Sequence, residues 1–217
     1  MQKYYLGQAS EKVSLVLNIE DNFKHIGIFL SGGIDSTILL WSLLKYRQEF
    51  KKKFLITCLS VDKVLAANYV QRILNLLAPY YGEIDHHSGI DNSGSQPGAI
   101  RQAIYRMLAD DRFDLIMTGV NSNPPETLIK IATSHPVRPA SNNHSKLVLP
   151  FMHLFKCHII ELAYQLQADW ILPYTHTCTE LLADSCHQCF ACQERAWGFN
   201  YNSKQDPSFK PLGLNDL

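Results

Sequence analysis

Apolar residues fall along this chain in two alternating rhythms. Compact runs of strand length occupy 26–30, 54–61 and 113–120, the last with Gly119 near its end. Between them, 36–46, 64–78 and 100–108 carry leucines and isoleucines at helical spacing, and a further helix is expected over 153–167. Residues 80–85 and 147–149 are weaker strand candidates, and 13–19 alternates in the way of an edge strand. Strand and helix taking turns from residue 26 onward predict an α/β fold, a doubly wound parallel sheet whose ligands sit beyond the carboxyl ends of its strands. Two stretches break the rhythm. Residues 88–98 are rich in Gly, Ser, Asn and Asp, and 121–143 carries prolines among polar residues, so both are expected as loops. The polar, proline-containing end, 201–217, is expected to be irregular.

Composition changes this picture little. At 217 residues the chain suffices for one good core, and the expected division is a nucleotide-binding α/β domain over 1–170 with a small lobe over 171–217. Twenty basic residues balance twenty acidic ones, so bulk charge offers no strong nucleic-acid signal and no call for an anionic membrane face. No apolar run is long enough to cross a bilayer, and residues 1–18 lack the pattern of a secretory signal, which sets the expectation of a cytoplasmic protein. There, six cysteines point to metal or redox chemistry rather than to disulfides.

The first chemical signal is SGGIDST, residues 31–37, set between a strand and a helix. The first N–H groups of a helix have no intrahelical acceptor and the dipole is positive there, so the place attracts anions. Gly32 and Gly33 let the main chain curl around a phosphate, and Ser31, Ser36 and Thr37 add hydroxyls. The spacing is not that of the phosphate loop with a following lysine. The bland alternative is a glycine turn capped by Asp35 or Ser36.

The second signal is THTCTELLADSCHQCFACQERAWGF, with Cys178, Cys186, Cys189 and Cys192. Four thiolates suit a closed tetrahedral zinc site with a structural role. On a straight helix Cys186 and Cys192 would lie about 9 Å apart along the axis, too far to share one ion, so this segment must turn. A redox dithiol and an iron–sulfur cluster are the other readings. His176 and His187 flank the ligands and are expected at the surface or beside the metal rather than on it, although either could replace Cys178. Cys58 and Cys157, in apolar surroundings, are expected to be inert core residues.

SGGIDS resembles the pyrophosphate (PP) loop of the adenine nucleotide alpha-hydrolase-like superfamily. Together with Cys186, Cys189, Cys192 and Arg195 at three-residue intervals, followed by Ala196 and Phe199, and with Gly119-Val120-Asn121, Pro150 and Lys156, the chain resembles the 7-cyano-7-deazaguanine synthase (QueC) family. The resemblance implies a PP-loop ATPase fold with a carboxyl-terminal zinc lobe, and a ligase that uses ATP, Mg²⁺ and Zn²⁺. Such enzymes adenylate the carboxylate of 7-carboxy-7-deazaguanine, form an amide with ammonia, and dehydrate it to a nitrile, a step in queuosine biosynthesis. Similar proteins occur in bacterial antiphage gene sets, which implies a protein amine as another acceptor. The implied ATP contacts are Leu30, Ser31, Gly32, Gly33, Ile34, Asp35, Ser36, Thr37, Ser60, Arg101 and Gly119, with Asp35, Ser36 and Lys156 in catalysis. Asn121, Glu126 and Arg195 are the implied contacts to the acid, and a homodimer is implied.

The sequence departs from the family pattern in two places. Asp62 is followed by Lys63-Val64-Leu65, and Asn121 by Ser122-Asn123-Pro124-Pro125-Glu126, where the family carries the residues that face the deazapurine. Hydrogen bonds to a base edge dominate such specificity, so a related acid enters the expectation. Two further readings stand beside the ligase: a PP-loop tRNA-modifying enzyme, which would need a reactive thiol and a basic face, and a non-catalytic nucleotide-binding module.

Overall fold

The computed structural model describes residues 1–7, 12–62, 66–90, 96–125, 144–180 and 184–209. Strands β1 (Gln2–Leu6) and β2 (Val13–Leu17) form an antiparallel hairpin of their own, and five further strands form one parallel sheet. These are β3 (His25–Phe29), β4 (Leu55–Asp62), β5 (Asp85–Ile90), β6 (Leu115–Thr118) and β7 (Leu147–Val148), in the order β5-β4-β3-β6-β7. Helices α1 (Ile34–Glu49), α2 (Ala66–Tyr81), α3 (Gln96–Ala109), α4 (Lys156–Gln165) and α5 (Phe190–Tyr201) accompany it.

The period-2 geometry of strands explains why both faces are covered. Ile26, Ile28, Ile56, Cys58, Leu115 and Met117 join the main core with residues of α1, α2 and α4. The intervening Ile116 joins Met107 and Phe113 in a second cluster. Gly27 faces the same second side, where a Cβ would meet Met107 Cε at 2.7 Å. Runs that are apolar at every position follow directly from burial on two faces. Helix α1 shows the same logic, with Ile34, Ile38, Leu39, Leu40, Leu43 and Leu44 all at 0% exposure.

The chain winds from β3 to β4 to β5 on one side, then crosses back to β6 and β7 on the other. The reversal lies between β3 and β6, and the crevice beyond their carboxyl ends is the place such sheets reserve for ligands. SGGIDST leaves β3 at that point, and Gly119 follows β6.

Four expectations need correction. The strand expected over 80–85 is β5, Asp85–Ile90, whereas Tyr80 and Tyr81 complete α2. Tyr81 packs edge-on against Trp41 with ring centroids 5.5 Å apart, and Gly82, at φ 78, ends the helix by donating its N–H to Ala78 O (2.9 Å). Residues 88–90 belong to β5 and 96–98 to α3, so the expected loop over 88–98 shrinks to its centre, 91–95, outside the described residues. Val13–Leu17 pairs with β1 rather than with the main sheet. The expected irregular end retains Tyr201 in α5 and a short 3-10 turn at Pro207–Phe209. Most of the expected loop over 121–143 lies outside the described residues.

Asp114 fastens the start of β3 to the start of β6. Its carboxylate accepts from the N–H groups of Lys24 (2.7 Å) and His25 (2.9 Å), which hold it below the usual carboxylate range. A lowered folded-state value stabilises the fold above the unfolded value, and that contribution is lost as the pH falls through the folded one. Asp114→Asn is therefore expected to lower the urea midpoint at pH 7, with the gap to the parent protein narrowing below about pH 4.

Candidate functional site

Gly32 takes φ 79, and Gly33 leads into α1 with an extended backbone. Ser36 closes the turn: its Oγ accepts from Ser31 N–H (3.1 Å), lies 3.0 Å from Ser31 Oγ, and donates to Gly33 O (3.3 Å). Thr37 N–H reaches Gly33 O at 3.1 Å and opens the helical ladder. Thr37 Oγ1 is buried in this first turn with no hydrogen-bond partner among the described residues. A Cβ on Gly32 would come within 3.0 Å of Tyr69 Cβ, and one on Gly119 within 2.8 Å of Asp35 C and Ser36 N. Glycine is thus required on both sides of the loop, with β6 pressed against the helix start. A tight, glycine-lined turn at a helix amino terminus, at the switch point, fits a phosphate group.

Lys156 opens α4 with its side chain only 2% exposed. It forms an ion pair with Asp35, in the first turn of α1, and lies 3.6 Å from Glu194 Oε2 on α5. Asn121 Nδ2 donates to Glu194 Oε1 (3.2 Å). The loop, the end of β6, α4 and α5 therefore meet in one buried polar cluster. Asp35, Ser36, Lys156, Gly119 and Asn121, all singled out in the sequence, lie close together.

Other expected residues are dispersed. Leu30 is buried and its N–H donates to Leu59 O (2.8 Å), in line with the sheet. Ser60, buried in β4, lies 2.8 Å from His86 Nε2. Arg101 is exposed on α3. Glu126 lies outside the described residues.

Arg195 requires a correction. Its guanidinium faces Asp206 through Nε (2.8 and 3.0 Å) and Nη2 (2.9 Å) and donates to Thr175 O, Thr175 Oγ1, Thr177 Oγ1 and Leu172 O. All five donors of a guanidinium are engaged within the protein, which leaves none for an acid or a phosphate. Arg195 instead ties α5 to residues 172–177.

The four cysteines form a compact cluster, with all sulfurs within 4.8 Å of one another. Cys186 and Cys192 sulfurs are 4.0 Å apart, as are those of Cys178 and Cys189. The expected turn is present. His187 at φ 58 reverses the chain, and the N–H groups of Gln188 and Cys189 point at Cys186 Sγ (3.5 and 3.2 Å). Cys189 then caps α5 and Cys192 sits in its first turn. Burial raises the Cys189 thiol, but hydrogen bonds from Thr179 and Cys192 outweigh it and hold the thiol below its ordinary value; Cys192 is pushed up by burial and by Cys189. A cluster of this size and donor set can hold a metal ion.

Sequence reasoning gave no role near the loop to Glu194 or Tyr69, and noted His176 only beside the cysteines. Glu194 reaches Lys156; His176 donates its N–H to Gly32 O (2.9 Å) and stacks on Tyr69 with ring centroids 4.6 Å apart. Gly198 was the available signal. A glycine inside a helix usually has a packing reason, and here a Cβ would come within 3.0 Å of Lys156 Cγ and 2.8 Å of Ile160 Cδ1.

Residues 124–203 match the family model for the queuosine biosynthesis protein QueC. That span holds Lys156, Glu194 and the four cysteines; the glycine loop lies ahead of it. Comparison with curated proteins finds no match. Among solved structures, the chain is similar to the U34-tRNA thiolase NcsA from Methanococcus maripaludis with its 4Fe–4S cluster, at 14% identity and a TM-score of 0.47, over 83% of this chain and 71% of that one.

Because Arg195 and Asp206 are buried together, removal of either leaves an uncompensated charge. Arg195→Ala is expected to cost about 3–5 kcal/mol, measured as a lower urea midpoint at unchanged slope.

Proposed function

We propose that this QueC-like chain is an ATP-dependent ligase that adenylates a small-molecule carboxylate and passes the acyl group to an amine. The observation that carries the reading is the meeting of the SGGIDST turn, the α1 amino terminus and buried Lys156 at the β3/β6 switch point. In the first step a carboxylate oxygen attacks the α-phosphorus and the bond to the β-phosphate breaks, so negative charge accumulates on departing pyrophosphate. In this reading the first N–H groups of α1 meet that charge at the helix amino terminus, and Lys156 supplies a cation next to Asp35. Mg²⁺, brought in with the triphosphate, would neutralise part of its charge. In the second step the amine attacks the acyl carbon, AMP leaves, and the amine loses a proton.

The acid is 7-carboxy-7-deazaguanine or a relative, given the QueC match over 124–203 and the altered residues after Asn121. Ammonia or a protein amine is the acceptor; the latter would suit a role in antiphage defence. A cytoplasmic site of action fits both. Zinc fills the four-cysteine site in this reading. A tetrahedral ion with bonds of about 2.3 Å sets sulfurs about 3.8 Å apart, close to the 4.0 Å between opposite pairs here. A four-iron cube would spread them over a larger tetrahedron. Zinc so enclosed contributes folding energy and leaves no open coordination position.

A thiolase reading needs a reactive thiol outside the metal site. The two remaining cysteines, Cys58 and Cys157, are at 0% and 1% exposure, and burial together with Asp85 pushes the Cys58 thiol up to about 12. Neither is poised to attack.

Purified protein with ATP, Mg²⁺ and 7-carboxy-7-deazaguanine or related acids is expected to release pyrophosphate. Ser36→Ala and Lys156→Ala are expected to lower kcat by about 10²–10³-fold. Turnover undiminished by Ser36→Ala would refute the loop as the catalytic site, and ATP binding without pyrophosphate release for any acid would reassign the chain as a nucleotide-binding module.

A further inference from the structure

Two routes lead from the cysteine cluster to the glycine loop, and both are short. The first runs along the chain from Cys178. Two residues earlier, His176 N–H is bonded to Gly32 O (2.9 Å), and its ring lies on Tyr69, the residue whose Cβ fills the space beside Gly32. Arg195 grips the same segment through Thr175 Oγ1 (2.9 Å) and Thr177 Oγ1 (3.2 Å), so the 175–178 segment is fixed between the cysteine cluster and the loop.

The second route runs through α5. Cys189 and Cys192 form its first turn, and Glu194 follows on the same helix, 2% exposed, with one oxygen 3.6 Å from Lys156 Nζ and the other held by Asn121. Lys156 pairs with Asp35, one residue ahead of Ser36, whose hydroxyl closes the loop. Gly198, one turn further along α5, seats that helix on α4, where a Cβ would come within 3.2 Å of Cys157 N. A helix held this closely cannot shift at its first turn without moving Glu194 against Lys156.

We infer that the four-cysteine centre governs the shape of the triphosphate loop, with Glu194 and His176 as positioning residues that carry metal loading to residues 31–36. A metal that fixed only its own segment would need neither contact. The residue bonded to the loop, His176, instead sits two positions from Cys178, and Glu194, which meets the loop's partner Lys156, sits two from Cys192. The inference rests on reading the loop as the triphosphate site, but its physical content is an ordering of backbone that exists without nucleotide.

Amide hydrogen exchange tests it in the absence of ATP. The protein is compared zinc-loaded, stripped by a chelator, and as zinc-loaded Glu194→Gln, with metal content measured in each. Expected are an about tenfold faster exchange over 31–37 in the stripped protein, within the usual range of coupling between sites, and a smaller acceleration at the same amides in Glu194→Gln at full zinc content. Protection in β4 reports whether the sheet has survived. If stripping melts the sheet, Glu194→Gln decides: loop exchange equal to that of the parent at full metal content overturns the inference, as does an unaltered loop in a stripped, folded protein. Isothermal calorimetry with ATP on the same samples separates the two readings. Coupled exchange with no ATP binding would remove the ligase assignment alone, and ATP binding with uncoupled exchange would remove this inference alone.

Discussion

An ammonium group taken out of water costs several kcal/mol unless carboxylates meet it. Lys156 is in that position, at 2% exposure, and it is met from two sides, by Asp35 of α1 and Glu194 of α5. Three helices are thereby tied at one point, which lies against the turn after β3. Lys156 is the member the cluster depends on most: removing it takes away the cation that Asp35 and Glu194 share, whereas removing either carboxylate leaves Lys156 the other. The cluster's hydrogen bonds and ion pairs place the parts of the candidate site relative to one another more strictly than apolar packing would, because they demand direction as well as contact.

Around this point the backbone is brought unusually close. Gly119 lies against the peptide joining Asp35 to Ser36, and Gly198 lies against α4 beside Lys156. Each glycine allows an approach that a Cβ would hold apart by the better part of an ångström. The turn at SGGIDST is therefore walled by the end of β6 on one side and by Tyr69 and His176 on another. The helix amino terminus provides the field, and these neighbours give the turn its shape.

The four-cysteine segment adds a second constraint. A closed thiolate site is worth folding free energy when loaded, and this one is built on the first turn of α5 and on the segment that bonds to Gly32. Arg195, with every donor spent on Asp206 and residues 172–177, holds those two pieces together. A residue that resembles a substrate ligand by its place in a motif turns out to be internal scaffolding. The sequence could not reveal this, because Asp206 and Thr175 are set apart from it by 11 and 20 positions.

The sequence by itself determined the alternation of strand and helix, the loop, and the turning cysteine segment, since each depends on local periodicity or on short spacing: apolar runs buried on two faces, glycines between a strand and a helix, thiolates three residues apart. It misjudged Tyr80–Tyr81, where ring packing on Trp41 and a terminating Gly82 extend α2 beyond an apolar pair that alone reads equally well as a strand. Only the tertiary structure decided that Glu194 faces Lys156, that His176 holds Gly32, and that Arg195 is fully occupied. Those contacts join residues 11 to 144 positions apart in the chain, and no local pattern encodes which polar group a buried charge will find once the helices have closed on it.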